Sequence, residues 1–158
     1  MTTTNKTTAM PATPPHRGGG WEGVFFKLSE FTYSATAQAR HIENVPSAEA
    51  VRNLELLTKN VLDPLREAWG GPIIINSGYR CDELNKAVGG VENSYHRLGM
   101  AADIRPKDGR LERLYEIIEG MFMDGLIGLT ECYINRKKGY IHIAYDIEGF
   151  NVWPFING

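Results

Sequence analysis

Seven apolar residues, Val51, Leu54, Leu57, Val61, Leu62, Leu65 and Trp69, recur at helical spacing and put one apolar stripe on one long segment. A helix with such a stripe has to bury it, and the rest of the chain supplies short, breaker-bounded runs to bury it against. Ser47 is a suitable N-cap for this helix. Pro64 removes a backbone donor inside it and kinks or divides it. Gly70-Gly71-Pro72 stops it. The stripe reads as core packing, with a partner surface as the less economical alternative.

Ile73-Ile74-Ile75-Asn76 reads as a buried strand, Ser77-Gly78-Tyr79-Arg80 as a turn, and Cys81 to Val88 as a short helix ended by Gly89-Gly90. The segment from Ser94 turns on Gly99 and continues as a buried strand. Asp108 is the expected cap of an amphipathic helix that turns Leu111, Leu114, Ile117, Ile118, Met121 and Phe122 inward. Thr130 to Asn135 and Tyr140 to Asp146 flank Arg136-Lys137-Lys138-Gly139, a length and a glycine that suit a hairpin. Alternation places Ile141, Ile143 and Tyr145 on one face of the last strand and Tyr140, His142, Ala144 and Asp146 on the other. Upstream, Ser29 is the expected cap of a helix running to about Ala39. These elements predict an α+β fold, a small antiparallel sheet with helices mainly on one face.

The chain of 158 residues suffices for one domain with a real core. Residues 1 to 20 are rich in Thr, Pro and Gly and are expected to form a disordered tail, leaving residues 21–158 as a single domain. A formal net charge of −2 offers no electrostatic reason to expect nucleic acid or an anionic membrane. No stretch is apolar for the roughly 20 residues of a membrane span, and the N-terminus lacks the apolar core of a signal peptide. Cys81 and Cys132 are too few for a disulfide framework or a thiolate zinc site and read as free thiols, although one bridge between them stays open. Localisation is unknown from sequence, and a monomer is the default.

The scarce residues are the four histidines. His16 lies in the polar tail and His41 at a helix end. His96 stands seven positions before Asp103, and His142 lies on the last strand. Two imidazoles and a carboxylate on strands make a three-ligand zinc site with an open fourth position plausible. A structural His-Asp pair is the plain alternative.

The company of these residues is informative. The Pro46-Ser47 pair, Asp63-Pro64-Leu65-Arg66, Ser77-Gly78-Tyr79-Arg80, Leu84-Asn85, Gly89-Gly90 and the Ser94…His96…Gly99…Ala101…Asp103 pattern follow one another in order. From about Leu28 to Asp146 the chain resembles the zinc D-alanyl-D-alanine carboxypeptidase and L-alanyl-D-glutamate endopeptidase family. These peptidoglycan peptidases include phage endolysins and share their fold with the hedgehog signalling domain. The resemblance implies that His96, Asp103 and His142 hold zinc, that the partner is a peptidoglycan stem peptide, and that Arg80 contacts substrate or an oxyanion. An ordinary ion pair is the plain reading of Arg80. Ser94 either braces its loop or touches substrate.

One feature departs from the family pattern. Many members carry a general-base Glu three residues before the last His, where this chain has Gly139. In other branches a Glu ends the preceding strand, where this chain has Asn135. Glu131 and Asp146 share strand faces with the site and are the acidic candidates that remain for the base. Without a base, such a site binds metal but loses roughly 10²–10⁴ in rate. The competing expectation is therefore a non-catalytic cell-wall or virion module that keeps the metal site. A metal-free assembly scaffold is a third.

Overall fold

The computed structural model describes residues 20–148. The expected tail over residues 1–20 lies outside these residues except for Gly20, as does the end of the expected domain beyond residue 148. The order of elements is α1 (Leu28–Thr32), α2 (Ala35–Ala39), α3 (Ala48–Leu57), a π-helical turn (Thr58–Leu62) and α4 (Asp63–Trp69). Then come β1 (Ile73–Ser77), α5 (Asp82–Ala87), a 3-10 turn (Tyr95–Leu98), β2 (Ala101–Pro106), α6 (Leu111–Met123), β3 (Glu131–Asn135) and β4 (Tyr140–Ala144). The four strands form one antiparallel sheet in the order β1-β2-β4-β3, so the predicted α+β architecture holds.

Register sorts every strand into a core face and a site face. Ile104 lies opposite Ile141 and Ala102 opposite Ile143, while Cys132 and Ile134 face the same two isoleucines from β3. These side chains pack with Leu54, Leu57, Val61, Leu62 and Leu65 from the stripe and with Leu114 and Ile118 from α6. The stripe is core. On the other face Asp103 lies opposite His142, and His142 opposite Tyr133. The first strand joins this pattern through a bulge between Ile75 and Ser77, which sets Ser77 opposite Asp103. A bulge re-aims the side chains that follow it.

The long helical segment is divided as the proline required. Ser47 Oγ accepts from the amide of Ala50, and Pro64 sits in the first turn of α4 directly after the π-helical turn. The wider turn relieves the clash a proline makes with the preceding turn. Two expected caps are corrected. Ser29 does not start one helix to Ala39, because Tyr33 is extended (ψ 137°) and separates α1 from α2. The second helix is capped by Ser34, whose hydroxyl accepts from the amide of Ala37 at 3.1 Å. Asp108 does not cap α6, since its carboxylate is spent on the backbone and guanidinium of Arg110. Among the described residues no helix is long and apolar enough to cross a membrane.

Candidate metal centre and its cleft

Three elements bring the expected ligands together. Asp103 and His142 face one another because β2 and β4 pair in that register. His96 arrives from the 3-10 turn, which Ser94 caps: the Ser94 hydroxyl accepts from His96 N at 3.1 Å. One donor atom from each of His96, Asp103 and His142 lies within 4.8 Å of the others. All three side chains are buried, at the floor of a cleft of about 810 Å³.

The contacts state which atoms face inward. His96 Nε2 stands 3.3 Å and His142 Nδ1 2.9 Å from the same oxygen, Oδ1 of Asp103. The other nitrogen of His96, Nδ1, donates to the carbonyl of Gly78 at 2.7 Å. The backbone reaches that position only because Gly78 has no side chain, as a Cβ there would stand 2.6 Å from the Phe31 carbonyl oxygen. The other nitrogen of His142, Nε2, lies 2.8 Å from Oε1 of Glu131. Tyr133 stacks on the His142 ring at 4.8 Å between centroids and 20° between planes.

Charge follows from this geometry. Burial works against a charged His142, but its hydrogen bonds to Asp103 and Glu131 prevail and push its pKa up to about 9. Burial likewise opposes ionisation of Asp103, yet the two imidazoles hold its carboxyl well below the usual carboxylate range. The donor set fits Zn²⁺: two imidazole nitrogens and one carboxylate oxygen converge, and a hydrogen-bond acceptor fixes each ring from behind.

Arg80 lies beside the cluster and is braced on three sides. Its Nε donates to Ser77 Oγ at 3.1 Å, Nη1 to Asn85 Oδ1 at 3.1 Å, and Nη2 stands 3.6 Å from Asp103 Oδ2. The bulge in β1 is what turns Ser77 toward it. Asn85 donates in turn to the Val91 carbonyl at 2.8 Å, tying Arg80 to the cleft rim.

The remaining candidates separate. Glu131 lines the cleft. Asp146 does not; it lines a second cavity with Asn60 and Tyr145, and its carboxylate accepts from the amide of Glu148. Asn135, where a Glu was sought, accepts from the amide of Lys138 at 2.9 Å and so closes the hairpin turn. Gly139 completes that turn at φ 78°, a left-handed conformation that suits glycine. Cys81 and Cys132 are free thiols. Sequence reasoning missed Tyr133 and Asn85. The alternation of Glu131, Tyr133 and Asn135 on the His142 side of the hairpin was the available sign for the first. Nothing but the family motif flagged the second.

Two convergent imidazoles and a carboxylate, buried on the open face of a four-stranded sheet, form a candidate three-ligand metal centre. A family model described as peptidase M15 matches residues 24–144. The chain therefore belongs to the peptidase M15 family. It is also similar to the zinc D-Ala-D-Ala carboxypeptidase of Streptomyces albus G, at 42% identity over 59 residues, which is 37% of this chain. The matched stretch spans 23% of that relative's length.

Proposed function

We propose that the chain is a zinc-dependent peptidase that hydrolyses a peptide bond in peptidoglycan stem peptides, of the D-Ala-D-Ala carboxypeptidase or L-Ala-D-Glu endopeptidase type. The convergence of His96, Asp103 and His142 at the floor of the cleft, with a fixed Arg80 beside them, carries this reading. His96 (through Nε2), Asp103 and His142 (through Nδ1) would hold the metal. A Zn²⁺ held by these residues would supply Lewis-acid chemistry, the means to polarise a carbonyl and activate water near neutral pH.

The chain's own groups do the rest. Arg80 is a preorganised guanidinium, suited to a substrate carboxylate or to the negative charge that develops on the scissile carbonyl oxygen. Ser94 acts through His96, by holding the turn that presents it. Tyr133 shields one face of His142 from solvent. A second reading, a cell-wall or virion binding module, draws on Asn135 and Gly139. Neither supplies a carboxylate, and Asn135 is already committed to its turn.

Muropeptides incubated with zinc-loaded protein and followed by mass spectrometry test both readings. The peptidase reading expects a defined mass loss, abolished by chelator and by His96→Ala. Intact muropeptides alongside about one bound zinc per chain favour the binding module.

A further inference from the structure

The geometry points to Glu131 as a positioning residue rather than the general base: it accepts a hydrogen bond from Nε2 of His142 and so commits Nδ1 of that ring to the metal. This inference rests on the zinc-site reading above.

Glu131 reaches the ring by register. It lies opposite Ala144, while His142 lies opposite Tyr133, so Glu131 is the diagonal neighbour of His142 across the β3–β4 ladder. Diagonal neighbours are within reach of long side chains, and here Oε1 comes to 2.8 Å from Nε2. The ring has little freedom to answer differently. Tyr133 stacks on it, and the ring of His96 stands 5.4 Å away at 56°. With its plane fixed, the ring retains only a flip about its own axis. In the observed orientation nitrogens face both Glu131 and Asp103; the flipped ring would present carbons to both. A carboxylate behind Nε2 also keeps the proton there, leaving the Nδ1 lone pair toward Asp103 and the ion.

His96 repeats the device with the ring reversed. Its Nδ1 is held by the Gly78 carbonyl, which leaves Nε2 for the metal. A fixed acceptor behind each ring sets the tautomer and raises ligand basicity, and losing such a partner costs 10–100-fold in metal affinity. The two ligands are served differently: His96 by an uncharged carbonyl that no substitution removes, His142 by a side chain.

Zinc affinity measured by chelator competition on Glu131→Ala and Glu131→Gln, beside the wild type, tests this. The expected result is a 10–100-fold loss in Glu131→Ala, with most of it restored in Glu131→Gln, whose amide oxygen still accepts from Nε2–H. Long-range ¹⁵N–¹H spectra of the zinc-loaded wild type should show His142 with its proton on Nε2. A proton on Nδ1 overturns the assignment, and this holds even if Glu131→Ala fails to fold. Unchanged zinc affinity in both variants, with muropeptide turnover lost 10²–10⁴-fold in Glu131→Gln, would make Glu131 the base and also overturn it. A wild type that binds zinc but leaves muropeptides intact removes only the peptidase reading. A wild type that binds no zinc removes both.

Discussion

At the proposed zinc site, zinc and a proton would compete for Nδ1 of His142, and the structure sets the terms. In protein stripped of metal, Asp103 and Glu131 accept from both ring nitrogens and raise the pKa of this histidine from 6.5 to about 9. A ligand imidazole has to be neutral. Below about pH 9, then, each unit of pH should weaken apparent zinc affinity by about tenfold, which amounts to about 100-fold at pH 7. Asp103 adds nothing to this slope because its carboxyl stays ionised far below neutral pH. The same shift has a stability consequence whose sign is fixed. A histidine with a raised folded-state pKa stabilises the metal-stripped protein fully below 6.5, and that contribution is lost as pH rises through about 9. At about 1.4 kcal/mol per unit, the contribution is about 3–4 kcal/mol. Chelator competition between pH 6 and 9.5, with calorimetry in buffers of different ionisation enthalpy, measures the first effect. Denaturant midpoints of the stripped protein over the same range measure the second. A zinc affinity flat between pH 6 and 9, with no proton released on binding, would refute the reasoning.

Other perturbations have equally definite outcomes. Leu62→Ala removes a fully buried side chain from the centre of the core and should cost about 2–5 kcal/mol in denaturant unfolding. Asn85→Ala takes from Arg80 its Nη1 acceptor and should reduce muropeptide turnover while bound zinc, measured by metal analysis, stays at the wild-type level. Gly139→Ala places a Cβ at φ 78° and should lower stability by about 1 kcal/mol without altering zinc content. Cys132 is fully buried and its thiol is pushed well above the usual range by that burial. A thiol reagent on folded protein should therefore modify Cys81 alone, and both cysteines once the protein is unfolded.

What could be read from the chain is what depends on neighbours in sequence. The Ser47 cap, the stripe from Val51 to Trp69, the division at Pro64 and the β3–β4 hairpin all follow from spacing and turn chemistry. The convergence of His96, Asp103 and His142 followed from recognising their order in a known pattern, since no local rule brings residue 96 to residue 142. What escaped depends on register or on one backbone angle. Extended Tyr33 splits a helix that composition alone would join. The bulge after Ile75 decides that Ser77 faces Arg80, and a strand read by alternation cannot show it. The Glu131–His142 contact needs the pairing of β3 with β4 to be known residue by residue. Glu131 was visible as an acidic candidate, but its partner was not.

The pairing of β2 with β4 also bears on how the molecule is made. Asp103 and His142 are 39 positions apart, and α6 and β3 lie between them in the chain. No fragment ending before β4 holds all three proposed ligands, so an emerging chain would gain nothing from zinc at this site until β4 is in place. Closing so long a loop is costly before contacts reward it. An ion that binds only after this closure should leave the folding rate nearly unchanged and slow unfolding instead. Zinc would then act less as a template for this chain than as a latch on the finished one.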